Sequence, residues 1–479
     1  MRTFPAIILC ILLAVAEART AVIALDNIST NSLARFNLTG AALDERLQFT
    51  SIADNAVIPG NLVYPHIEWD APVNYTTAFL LELTSPGHSL RVLLRDNHWQ
   101  PQGDEFRLFL TGRELQVTLY RLERSATTKS RTARLRIAEP LEDRIIYRVV
   151  PPLFDVKADI SLKSIAADHR GPDAVIGFHG ACVGCHGYAP QTAVLNAQTK
   201  FTRKFFTAHQ ASNEFEFERH LIGEFSFVAI SPDGRYAALV KDTPGKLVLS
   251  KNVIEPFEQV YKTGDICIYD FEKKTLNPLP GACDPTWVED MPWFSADGKE
   301  IIFSRYKVVR EGSREAVHSM DLCRVPFNNG HGGEAVPIPN ASGNGLLQYF
   351  GRIAPNGKWV SFCRSNKPRG IFAPQSSDIY LWSASDNSVR KLELNRDNAM
   401  DSWHDWSSDS RWLVFSSKRS SNHLTGLYLS YIDDNGISHP PVKLASEIGH
   451  KVNTPQFVPR QFDLSAVGGL KRLVETSFD

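Results

Sequence analysis

The chain lacks a dominant sign of charge: 52 lysines and arginines are set against 53 aspartates and glutamates, for a formal net charge of -1. No bulk field exists to hold nucleic acid or an anionic membrane, so any partner must be recognised at a local site. Beyond the N-terminus no apolar run is long enough to cross a bilayer. Hydrolytic signatures are missing as well, with no G-x-S-x-G elbow, no H-E-x-x-H pair and no P-loop. Methionine is scarce, at four in 479 residues, which limits the soft ligands available to a metal. At 43% hydrophobic and 22% charged residues the composition is that of a folded chain, and its length predicts two or three domains.

The first residues do carry a signal. Arg2 precedes an apolar run from Ala6 to Val15 that ends in Ala16-Glu17-Ala18, the pattern of an export signal (1–18) cleaved near Arg19. That run is about half the ~20 residues a membrane helix needs, so no span is expected after cleavage. An exported protein meets an oxidising compartment, where disulfides are permitted. Cys10 is lost with the signal. If Cys182 and Cys185 are used otherwise, Cys267, Cys283, Cys323 and Cys363 allow three pairings. Cys267 and Cys363 sit in apolar strand-like runs and read as buried free thiols.

From residue 19 to 146 the sequence alternates over short runs, among them TAFLLELTS, SLRVLLRD and LQVTLYRL, broken by Pro, Gly, Asn and Asp. This pattern predicts a β-sandwich of immunoglobulin-like look. A linker containing Val149-Val150-Pro151-Pro152 is expected over 147–220. Beyond it the chain repeats itself, in FVAISPDGRYAALVKD, MPWFSADGKEIIFSRY, GRIAPNGKWVSFCRS and HDWSSDSRWLVFSSKR. Each copy is a strand, a tight turn and a second strand. Gly234, Gly298 and Gly357 supply the positive φ of the turns, Ser410 replaces them in the fourth copy, and Asp233, Asp297, Asn356 and Asp409 can bond the turn backbone. Four short strands per unit, repeated, predict a β-propeller over 221–465 with six blades, five being the competing count, followed by a tail over 466–479. NTPQF near Pro455 is expected to close the ring against residues 182 to 200.

The strongest chemical signal is Cys182-Val183-Gly184-Cys185-His186, the C-x-x-C-H pattern of covalent haem c attachment. Two thiols add to the vinyl groups and the histidine takes the iron, which requires one compact turn of backbone to present all three groups to one porphyrin edge. A disulfide between the two cysteines and a metal-binding thiol pair are the alternatives. Zinc would need two further ligands, and the spacing of His169 and His179 matches no common zinc module. Candidates for a sixth haem ligand are His179, His209, Met291 and His404. Asp401, Asp405 and Asp409 read as turn or cap residues.

The repeats resemble those of TolB-type propellers. With the IIYRVVPPLF run, CVGCHGY, TGDICIYDFEKK and NTPQF, the resemblance extends to exported bacterial proteins that join a sandwich-like domain and a C-x-x-C-H segment to such a propeller, over roughly residues 140 to 460. It implies a periplasmic or secreted location but carries no assigned activity. The expectation is therefore an all-β protein acting as a mono-haem c-type electron carrier or haem sensor with a redox partner protein, Cys182, Cys185 and His186 holding the haem. The alternative is a TolB-like scaffold that binds a protein or glycan without haem. Either is favoured over an enzyme.

Overall fold

A computed structural model describes residues 13–15, 18–71, 77–151, 160–176, 181–189, 192–199, 203–211, 214–220, 225–241, 246–249, 257–312, 314–366, 376–421, 423–445, 447 and 449–460. Most of the expected export signal and the whole of the expected tail lie outside these residues. The protein is all-β; its helical elements among the described residues are three short 3-10 turns. None of its described helices is long and apolar enough to cross a membrane.

The chain forms two compact units, one of residues 1–141 with 167–171 and 439–444, the other of 142–166 with 172–438 and 445–479. The first is built on a nine-stranded sheet centred on Thr77–Ser85, His88–Leu94 and Glu114–Glu123, beside a three-stranded sheet. Alternation along Glu114–Glu123 buries Leu115, Val117 and Leu119 on one face, as the period-2 pattern requires, and Tyr120 and Leu122 are buried on the other. Three pairings in the large sheet are parallel, Ala18–Ala24 with His88–Leu94 among them. The unit is all-β as expected, and its parallel pairings depart from the two antiparallel sheets of an immunoglobulin-like sandwich. Parallel pairings join distant strands and leave no local mark in the sequence.

Among the described residues the second unit holds four four-stranded sheets, one eight-stranded sheet whose two four-stranded halves join only at Met320↔Leu347, and two two-stranded sheets, which together make six blades of four strands. Blade 1 is Ala181–Ala189, Thr192–Thr199, Arg203–Ala211 and Glu214–His220. Blades 2 to 5 begin at Phe225–Ile230, Val288–Phe294, Leu347–Ile353 and Asp401–Trp406. Blade 6 is composite: its inner strand Lys451–Val458 is the last of the described strands, while Arg144–Val150, Ser161–Ile165 and Asp173–Ile176 come from far upstream. The inner strands pack one on the next in order, and Lys451–Val458 packs on Ala181–Ala189 to complete the circle. This is the six-bladed propeller. The described strands of the stretch 147–220, expected to be a linker, belong to blades 1 and 6. The closing strand packs on Ala181–Ala189, within the region where closure was expected, and within its own sheet it pairs with Arg144–Val150, from Arg144↔Val458 to Val150↔Lys451.

The predicted turns form as the sequence requires. The carboxylate or amide of Asp233, Asp297, Asn356 and Asp409 accepts from the N–H two residues on, at 2.9 to 3.1 Å. Gly234, Gly298 and Gly357 have φ of 73°, 68° and 70°. Ser410 adopts φ 61° in their place, and its hydroxyl accepts from Asn356 N–H of the neighbouring blade at 3.0 Å. Asp143 caps the same turn, accepting from Ser408 N–H at 2.7 Å. All four described cysteines outside the motif, Cys267, Cys283, Cys323 and Cys363, are free thiols.

Val452 is fully buried on the closing strand, and its N–H donates to Thr425 O and Oγ1 at 3.1 and 2.8 Å. Val452→Asp puts an unpaired carboxylate into this seam and is expected to cost about 3 kcal/mol or more. Chemical denaturation of the full chain followed by tryptophan fluorescence checks it; an unchanged midpoint would count against closure by this strand.

Candidate functional site

Each inner strand breaks register at its third or fourth residue. The irregularities fall between Ser226 and Val228, Asp290 and Trp293, Tyr349 and Arg352, and Ser402 and Asp405. The closing strand does the same between Asn453 and Gln456, and blade 1 between Val183 and His186. A β-bulge adds one residue to one strand and leaves it unpaired. At five of the six bulges that residue has positive φ without being glycine: Phe227 at 41°, Met291 at 57°, Phe350 at 55°, Trp403 at 45° and Thr454 at 47°. A left-handed residue with a side chain costs on the order of 1–3 kcal/mol, so surrounding contacts must hold it there. One such contact is local, Met291 N–H donating to Asp290 Oδ1 at 2.8 Å.

The bulged side chains meet at the axis of the ring. Phe227 of blade 2 lies edge-on to Phe350 of blade 4 at 5.9 Å between ring centroids, and Phe350 lies 6.4 Å from Trp403 of blade 5. Met291, Phe350 and Trp403 belong to one cluster, at 2, 2 and 9% exposed, against which the partly buried Phe227 packs. Four blades thus plug the centre with large apolar groups. At the equivalent register, blades 6 and 1 carry Thr454 and Gly184.

Below the plug a chain of polar contacts crosses from blade to blade. The Arg352 guanidinium stacks on Trp293 at 3.8 Å. Asp405, near Arg352, accepts from Phe457 N–H at 2.8 Å, and Gln456 Nε2 donates to Tyr188 O at 3.5 Å. Burial shifts these groups strongly. Asp405 is pushed up to about 7 against the opposing pull of Arg352, and Arg352 is pushed down to about 10. Glu289 is raised to about 7 and Asp290 to about 8, both by burial. His404 is lowered to about 3 by burial and by Arg352, and its Nδ1 lies 3.6 Å from Cys363 Sγ. Such shifts mark functional sites or structural polar networks. Here Asp290 and His404 are 0 and 1% exposed, sealed beneath the plug.

The motif is brought to this ring. Ala181–Ala189 is the innermost strand of blade 1, with Cys182 opposite Gln198 and His186 opposite Leu195. By register Cys182 matches Glu289, Gln348 and Asp401, and His186 matches Arg352, Asp405 and Gln456. The backbone is an extended strand with a bulge, not the compact turn expected for haem attachment. At ~3.3 Å per residue it carries the chain roughly 10 Å from Cys182 to Cys185. The side chains of Cys182, Cys185 and His186, and that of His209, lie outside the described residues, as does His179. Of the other sixth-ligand candidates, Met291 is in the plug and His404 is turned to Cys363. Among the described residues no three His, Cys, Asp or Glu side chains are placed to hold a metal ion together. Asp409 is a turn residue as expected; Asp401 accepts from Arg396 N–H of the loop before it at 2.8 Å and, buried, also pairs with the partly buried Arg419 at 2.8 Å.

No family model matches the chain. No curated protein matches either. Among solved structures, the chain is similar to TolB from Acinetobacter baumannii, at 12% identity and a TM-score of 0.44 over 72% of this chain and 80% of that one. It is also similar to a putative TolB from Agrobacterium tumefaciens, at 12% identity and a TM-score of 0.37 over 66% and 99%, and to an oligogalacturonate lyase from Vibrio parahaemolyticus, at 10% and 0.36 over 83% and 100%. The six-blade assignment rests on the strand order above.

Asp290 gives a signed pH test. The folded chain keeps a proton there up to about pH 8, whereas a free aspartate releases it near 3.8. Its contribution is therefore fully present below pH ~4 and is lost as pH rises through 8. Asp290→Asn keeps the Oδ1 acceptor and cannot ionise. Its stability relative to the wild type is expected to grow by up to ~1.4 kcal/mol per pH unit between pH 4 and 8 and then level off. Melting of both proteins at pH 5, 6.5 and 8 reads this, and a constant gap would contradict it.

Proposed function

We propose that this protein is an exported TolB-like binding scaffold that engages a macromolecular partner, most simply a protein, on one face of its propeller. The plugged axis carries this reading. Phe227, Met291, Phe350 and Trp403 gather at the centre and the strongly shifted carboxyls and His404 are buried, which favours the faces for recognition. The two faces differ. The hairpin turns at Asp233, Asp297 and Asn356 are short and internally bonded, whereas the opposite end holds the longer connections and exposed polar residues such as Lys307, Asn366 and Asp397. Long loops set on a rigid frame are where propellers place recognition.

The haem reading stands second, and the observation in its favour is that C-x-x-C-H falls on the innermost strand of blade 1. Cys182 and Cys185 would hold the porphyrin and His186 the iron, and the group would supply one-electron chemistry.

Photo-crosslinkers placed singly at Lys307, Asn366 and Asp397 in the producing cell are expected to give discrete adducts that are absent from Asp233, Asp297 and Asn356. Equal capture from both ends, or none, would end the scaffold reading. In the same preparation, made with haem-attachment machinery present, the intact mass is expected to equal that of the bare polypeptide. A gain of one haem that Cys182→Ala and Cys185→Ala both abolish would replace the scaffold with the carrier.

A further inference from the structure

A polar cleft of about 780 Å³ opens at the long-loop end of blade 4, lined by Arg364, Asp378, Tyr380, Lys391, Asp397 and Asn398 among others. This volume is in the range of small-ligand sites. Arg364 and Asp378 are direct partners on neighbouring antiparallel strands, so their side chains rise from the same face. Opposite charges so placed would ordinarily pair, yet each is engaged elsewhere. Arg364 Nη2 donates to Asn340 O and to Gln348 Oε1, both at 2.9 Å, and its guanidinium stacks on Tyr380 at 4.5 Å. Gln348 is itself fixed, fully buried and donating to Met320 O at 3.0 Å. Among the described residues no carboxylate lies within ion-pairing distance of Arg364, and its buried Nε has no hydrogen-bond partner. Among the described residues its positive charge is thus met by neutral oxygens and the π-faces of Tyr380 and Phe362.

The other side of the cleft is acidic. Lys391 serves two carboxylates, Asp378 at 2.9 Å and Asp397 at 3.7 Å, which leaves that group one negative charge in excess. A positive and a negative end, one strand spacing apart in a polar cavity, match the two charges of an α-amino acid. We propose that this cleft binds a zwitterionic ligand, an amino acid or a short peptide with free ends, its carboxylate on Arg364 and its ammonium toward Asp378 and Asp397. Tyr380, Asn398 and the remaining polar wall would meet the peptide groups between the ends. Charge-assisted bonds of this kind are the strong ones, and with Nη2 already engaged and Nε buried the carboxylate would meet Arg364 at Nη1.

Isothermal titration of the full chain at pH 7 with L-alanine, trialanine, N-acetyl-trialanine and trialanine amide tests this. Trialanine or alanine is expected to bind, with each blocked form at least tenfold weaker. Arg364→Gln should abolish the penalty for amidation and keep that for acetylation; Asp378→Asn should do the reverse. Equal binding of free and blocked forms, or no binding of any, overturns the proposal. Because the blocked ligands are compared on the unaltered protein, the result does not depend on either variant folding. It is also separate from the crosslinking above, since a partner can dock on this face whether or not the cleft takes an amino acid.

Discussion

The propeller depends on one seam, the hydrogen-bonded register between Lys451–Val458 and Arg144–Val150. An open arc of sheets leaves a strand edge and two blade faces exposed, and only closure removes them together. Closing a loop of this length costs little more entropy than closing one half as long, because the cost grows with the logarithm of length. The seam therefore repays its cost through the burial that it completes, with Val452 and Val458 almost wholly covered. Asp405 of blade 5, accepting from Phe457 N–H, ties the same strand to its other neighbour.

The bulges follow from the same geometry. Six inner strands converge on one axis, where the side chains of a regular pleat would neither fill the centre nor avoid one another. An extra residue turned into the left-handed region redirects one side chain per blade inward. The strain at Phe227, Met291, Phe350 and Trp403 is offset by their mutual packing, so that the plug and the bulges sustain each other. The buried carboxyls belong to this frame. Asp290 holds the Met291 amide, and Asp405 joins three blades.

Much of this was legible in the sequence, and what was missed shares a cause. The turns of blades 2 to 4 announced themselves through Asp-Gly and Asn-Gly pairs and that of blade 5 through Asp409-Ser410, because a hairpin is closed by its own local residues. Blades 1 and 6 carry no such pair. Pro190-Gln191 stands where the others have Asp-Gly, and the inner strand of blade 6 lies some 300 residues from the rest of its sheet in a composite that no local pattern can disclose. The bulges were visible only as a faint repeat, S-F-V, D-M-P, Y-F-G, S-W-H and N-T-P, whose middle residue has no reason to be noticed until the backbone is seen. C-x-x-C-H is conspicuous by composition, yet in register it is the sixth copy of that repeat, V-G-C. The Arg364–Asp378 cleft left no trace, since its character lies in a pairing that does not form.

A plugged axis also makes the molecule one-sided in time. With Phe227, Met291, Phe350 and Trp403 gathered at the axis, a guest on the long-loop end is expected to depart by the path it took in. Residence is then governed by the loops at that end alone, and the tight turns on the far side are free to change without altering how long a guest remains.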